Sequence, residues 1–113
     1  MLSWSKKSLD LSALVFSEGT KIVLRGLSDA RFRGARNAYS EVENSDDRMR
    51  SIHSHVKTTG LLPGAVILIE RPECVWELID GCHRLSTYWA WISSSEWSEK
   101  IQRVQSAWVG RLA

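Results

Sequence analysis

A single glycine, Gly81, separates two stretches whose apolar residues repeat with incompatible periods. Before it, Val75 to Ile79 is short, apolar and rich in β-branched and aromatic side chains, the composition of a strand. After it, Leu85, Tyr88, Trp89 and Ile92 recur at offsets of three, four and seven, the stripe of an amphipathic helix. The chain must therefore pass from strand to helix within Asp80-Gly81-Cys82-His83-Arg84. That geometry aims the unpaired N–H groups of the first helical turn, and the positive end of the helix dipole, at the space beyond the strand end, where an anion binds. Gly81 lets the backbone come close to a ligand. His83 and Arg84 add donors, and arginine can grip a phosphate with two hydrogen bonds. The plainer alternative is that Arg84 pairs with Asp80 or Glu77 and His83 caps a buried turn.

The rest of the chain supplies the layers around this turn. Val15-Phe16-Ser17 and Lys21-Ile22-Val23-Leu24 flank Glu18-Gly19-Thr20, a pattern that predicts a hairpin. Residues 25–45 show no apolar period and contain Gly26 and Gly34, and are expected to be irregular with room for a short helix. Asp46 and Asp47 open a helix in which Met49, Ile52 and Val56 share a face, and Gly60 stops it. Pro63-Gly64 turns the chain into Ala65-Val66-Ile67-Leu68-Ile69, a wholly apolar strand of the kind expected when both faces are covered. Residues 70–73 turn again into the second strand. After the Gly81 helix, Ser93 to Ser95 breaks the pattern, and Trp97, Ile101, Val104 and Trp108 predict a final helix. The order is that of an α+β domain with a small mixed sheet packed with helices. Its 113 residues allow one domain, 1–113, and the six tryptophans are expected mostly in its core.

The longest apolar run, Ala65 to Ile69, is far short of a membrane span. The N-terminus lacks the apolar stretch of a secretion signal, so a cytoplasmic protein is expected. Cys74 and Cys82 suit that compartment as free thiols. With a strand between them they stand roughly 26 Å apart at about 3.3 Å per residue, too far to bridge. The net charge of +2 is unrevealing, but Arg25, Arg31, Arg33 and Arg36 cluster against one acid, Asp29. Such a cluster can meet nucleic-acid phosphates without sequence preference, or remain a solvated basic loop.

The stretch Trp76-Glu77-Leu78-Ile79-Asp80-Gly81-Cys82-His83-Arg84-Leu85-Ser86-Thr87-Tyr88 resembles the signature of the ParB/sulfiredoxin superfamily, a strand ending in a Gly-x-His-Arg turn before a helix. Upstream, the helix through Val56, then Gly60-Leu61-Leu62-Pro63 and the apolar strand, is similar to the segments that precede that signature. The resemblance spans roughly residues 22–92. It implies a compact domain whose turn holds the phosphates of ATP or another nucleoside triphosphate, and hydrolysis of such a phosphoester usually calls for a metal such as Mg2+. By position it makes Gly81, Cys82, His83 and Arg84 the phosphate-binding turn, and it suggests Arg36 and Lys57 as further phosphate contacts.

Among the family's functions, residues 93–113 are too few for the modules that follow this domain in partitioning proteins. The small plasmid fertility-inhibition and oncogenic-suppression branch, associated with ATPase and DNase activity, is the expected kind of protein. For that chemistry Asp80, beside the turn, and Glu77, on the strand, are the candidate catalytic carboxylates, with Asp80 the candidate Mg2+ ligand. Arg25, Arg31 and Arg33 are the candidate DNA contacts, and a component of a DNA-transfer system or an effector protein is the expected protein partner. Two alternatives stay open. One is a sulfiredoxin-like sulfinic acid reductase using Cys82, whose place beside His83 at a helix N-terminus favours a reactive thiolate. The other is a nucleotide- or DNA-binding module without catalysis. Glu43, Asp46 and Asp47 could hold a metal or merely open a helix, and His53 and His55, two apart on a helix, make a poor metal pair.

Overall fold

The computed structural model describes residues 2–32 and 45–112; for 30–32 and 45–46 only the backbone is described. Five strands form one mixed sheet: β1 (Leu2–Asp10), β2 (Val15–Phe16), β3 (Val66–Arg71), β4 (Val75–Asp80) and β5 (Val104–Leu112), in the spatial order β1-β5-β3-β4-β2. β1 and β5 are antiparallel, β5 and β3 parallel, β3 and β4 antiparallel, β4 and β2 parallel. Three helices, α1 (Glu18–Phe32), α2 (Ser45–Thr59) and α3 (Cys82–Ile92), complete an α+β domain.

The helices cover one face of the sheet. Val66, Leu68, Trp76, Ala107 and Val109, alternate residues of β3, β4 and β5, join Leu24, Ile52, Val56, Leu85, Tyr88 and Trp91 from the helices in one core. The period of two in strands and of 3.6 in helices places all of these on facing surfaces. Val66, Leu68, Leu85 and Tyr88 have no exposed surface at all. The apolar β3 is thus sealed on one side only, and Ile67 and Ile69 stay partly open on the other. Of the six tryptophans, Trp76 and Trp91 are buried and Trp89 and Trp97 pack against the core, whereas Trp4 and Trp108 stand on the uncovered face.

Two predicted elements are corrected. The hairpin around Gly19 and the irregular stretch from residue 25 are replaced by α1. Ser17 caps that helix, its hydroxyl accepting from the N–H of Thr20 at 3.3 Å, and Thr20, Leu24 and Leu27 make a buried stripe at offsets of four and three. The final helix is replaced by β5. The spacing of Trp97, Ile101, Val104 and Trp108 fits a helix, but Gln105, Ala107 and Val109 are buried in strict alternation and pair in register with both β1 and β3. β1, which the sequence did not announce, depends on that same pairing.

β5 also fixes the turn ahead of β3. Buried Gln105 accepts from the Leu62 N–H at 2.9 Å and donates to the Gln102 carbonyl at 2.8 Å and the Gly60 carbonyl at 3.3 Å. His53 is a structural acceptor rather than a metal ligand. Its Nδ1 takes the Trp91 indole N–H at 3.1 Å, inside a cluster with Trp91 and Trp97. Both cysteines are free thiols. No helix among the described residues is long and apolar enough to cross a membrane.

At the joint between β1 and β5, the Tyr88 hydroxyl donates to the Arg103 carbonyl at 2.8 Å, and burial pushes its pKa above the ordinary 10.0. Asp10 accepts from the Ser12 hydroxyl and from the Ser12 N–H, and the hydroxyl is the main cause of a carboxyl held below its ordinary 3.8. The signs are opposite. A depressed carboxyl adds stability that is complete above 3.8 and is lost as pH falls through the lower folded value. A raised phenol adds stability that is complete below 10.0 and is lost as pH rises through the higher folded value. Urea unfolding across pH should therefore show an acid limb that Asp10→Asn flattens and an alkaline limb that Tyr88→Phe flattens. Tyr88→Phe should also cost about 1 kcal/mol near neutrality for the lost hydrogen bond.

Candidate phosphate-binding site at the Gly81 turn

β4 ends at Asp80, and Gly81 caps α3 with φ +103 and ψ 31. Only glycine adopts that backbone without strain. The position is also crowded: a Cβ built on Gly81 would lie 2.9 Å from the Val66 Cγ1 and 3.0 Å from the Arg84 Nη2. The Leu85 N–H returns to the Gly81 carbonyl at 2.9 Å, which closes the first turn of α3.

The Arg84 side chain faces inward across this turn. Its Nη1 donates to the Ala65 carbonyl at 3.0 Å and the Pro63 carbonyl at 3.4 Å, and its Nη2 stands 3.6 Å from Asp80. With 20% of its side chain exposed, Arg84 works mainly as a strap between the approach to β3 and the start of α3. It passes over Gly64 as well, where a Cβ would meet Nη1 at 3.1 Å. The pairing with Asp80 that the sequence left open is present, though long. Glu77 is engaged elsewhere, accepting from Arg71 at 2.9 Å, and that hydrogen bond raises the pKa of the Arg71 guanidinium.

Two clefts flank the turn. One, of about 490 Å3, lies between the start of α2 and the turn and is lined by Asp47, Arg48, Ser51, Ile52 and residues 80–84. The other, of about 440 Å3, lies between the start of α1 and the β4 edge, lined by Ser17, Gly19, Thr20, Val23 and residues 77–82. The second follows from β2 having only two residues, which leaves the outer edge of the far half of β4 without a strand. The start of α1 closes that edge: the Ser17 N–H donates to the Trp76 carbonyl at 2.9 Å, and the Leu78 N–H donates to the Thr20 hydroxyl at 3.2 Å. The turn at the start of α3 thus has the first turns of α2 on one side and the start of α1 on the other, each across its own cleft. In the α2 cleft the backbone donors and positive dipole end of α3 face the beginning of another helix.

The predicted site residues divide accordingly. Gly81, Cys82, His83, Arg84 and Asp80 line the α2 cleft, with the Cys82 Sγ 3.5 Å from the His83 Nδ1. Lys57 sits in the last turn of α2, ten residues beyond Asp47 and so about 15 Å along the helix from the turn. Arg25 is exposed on α1 and lines a different cleft, whereas Arg33, Arg36 and Glu43, together with the side chains of Arg31 and Asp46, lie outside the described residues. Sequence reasoning missed Arg48 and Ser51. Both lie on the α2 turns that face residues 80–84, and their only signal was their position near the start of a helix that precedes the turn in the chain. Among the described residues no group of three or more His, Cys, Asp or Glu could hold a metal ion.

A larger cleft, about 820 Å3, lies away from the turn, between β2, α1 and the end of α3. Trp89 lines it, but the Trp89 indole N–H is sealed from solvent and has no partner among the described residues, so it offers nothing to a ligand there.

Comparison of the chain with known protein families, with curated proteins and with solved structures gives no match.

Gly81→Ala should lower stability by about 2–4 kcal/mol, combining left-handed backbone strain with overpacking against Val66 and Arg84. Arg84→Ala should lower it by about 1.5–3 kcal/mol through the lost charged hydrogen bonds. Thermal melts of the two variants measure both effects, and a fully stable Arg84→Ala protein would remove the strap.

Proposed function

We propose that the protein binds the phosphates of ATP or another nucleoside triphosphate in the cleft between α2 and the Gly81 turn, as a domain of the ParB/sulfiredoxin kind. The observation that carries this reading is the α2 cleft itself, where the start of α3, with a glycine at the point of closest backbone approach, faces the first turns of α2 and the exposed Arg48. Two helix starts bordering one cleft favour negative charge between them. The run of helix, Gly60–Pro63 turn, strand, strand, Gly81 turn and helix over residues 49–88 is the order the resemblance implies.

Within this reading the side chains take different parts. Arg48, exposed at the cleft wall and without an ion-pair partner among the described residues, is the cation that meets the phosphates. Backbone N–H groups of residues 81–83 donate from the turn, and Arg84 holds the turn in place. Asp80, with 70% of its side chain exposed, is the nearest carboxylate for a phosphate-bound Mg2+ or for orienting water. Glu77 is tied to Arg71 and takes no part. The Cys82–His83 contact supports a second reading, thiol chemistry at the same turn, because a nearby imidazole can take the thiol proton.

A nucleotide panel measured by calorimetry, with and without Mg2+, tests the proposal. Binding should be weakened by about 1.5–3 kcal/mol in Arg48→Ala, the scale of a charged hydrogen bond, with an unchanged melting temperature. Cys82→Ser should retain binding under the nucleotide reading and abolish reduction of a sulfinylated peroxiredoxin under the thiol reading. Absence of binding by every nucleotide, or an Arg48→Ala protein of undiminished affinity, would reject the site.

A further inference from the structure

β2, the edge strand of the sheet, ends after two residues, so the space beside it, between α1 and the end of α3, stays open as the cleft of about 820 Å3. That size is within the roughly 300–1,000 Å3 of small-molecule sites. The cleft surface is divided. Val15, 59% exposed at the sheet edge, and buried Phe16 and Leu24 give it an apolar floor. Trp89 adds ring carbon: the residue is only partly buried while its N–H is sealed, so what it shows the cleft is apolar. On the α1 wall beside that floor, Lys21 and Arg25 stand four residues apart, on neighbouring turns of one helix face. Arg25 is exposed and has no ion pair among the described residues. Lys21 is held by Glu18 at 3.3 Å, a pair with 44% and 82% of its side chains exposed and therefore weak. Asp29, the acid among the lining residues, makes an interaction of its own.

We propose that this cleft binds a small apolar carboxylate, an aryl or medium-chain aliphatic acid, with its body on Trp89 and Val15 and its carboxylate on Arg25. Two like charges four residues apart on a helix repel, and an anion between them removes that cost. The arginine fork matches a planar carboxylate with two parallel hydrogen bonds, and Lys21 adds a point charge beside it. Covering the apolar floor supplies affinity, and the cations decide which end of the molecule is bound and with what charge. A neutral or cationic molecule of the same length gains only the first of these. The cleft shares no lining residue with the α2 cleft, so the acid and a nucleotide would occupy different places.

Calorimetry of the whole chain with decanoate, decanol and decyltrimethylammonium tests this, because the probes share one chain length and differ in head charge. Decanoate should bind with a dissociation constant on the order of 0.1 mM, the scale for a ligand of its size. Decanol should bind about tenfold more weakly, and the ammonium more weakly still. Arg25→Ala, an exposed change that leaves the core untouched, should weaken decanoate about tenfold or more while leaving decanol unaltered. No decanoate binding at about 5 mM, far above the expected constant, would overturn the proposal. So would decanol or the ammonium binding as tightly as decanoate, or an Arg25→Ala protein of undiminished decanoate affinity.

Discussion

The Arg84 guanidinium ties together the parts on which this domain depends. It holds the carbonyls of Pro63 and Ala65, which fixes the entry into the central strand, and it lies against Gly64 and Gly81, which admit it only because neither has a side chain. The strand end, the approach to β3 and the start of α3 therefore share one cation. A residue whose position reads as a ligand contact is here a structural tie that holds the turn. The division of labour with Arg48 follows: one arginine holds the turn, and the other is left at the cleft wall.

Around that frame, short pieces of sequence act at long range. β2 is only two residues long, yet its shortness leaves the β4 edge open, and Ser17 and Thr20 stitch the start of α1 onto it. Gln105 acts similarly on the other side, binding the Gly60–Leu62 turn from within β5. Each is a polar group satisfying a backbone partner that burial would otherwise leave unpaired. Together they set the start of α1 and the entry into β3 on either side of the Gly81 turn, and no single element carries the instruction for that.

What the sequence determined by itself was the local grammar from residue 46 to residue 92. α2, β3, β4 and α3 were legible because each has one dominant period bounded by Gly60, Gly64 or Gly81, and the glycine turn between β4 and α3 was legible because the period changes there. The free thiols and the α+β class followed from the same reading. Tertiary structure decided the rest. α1 and β5 each fit two periods, and the choice fell to partners distant in the chain: Leu78, Trp76 and Ser86 for α1, β1 and β3 for β5. The role of Arg84 was decided by carbonyls some twenty residues away, and that of Arg48 by the packing of α2 beside α3. The apolar run of β3 announced two covered faces while the fold covers one, because a strand's sequence records its apolar content and not which of its faces the helices pack against.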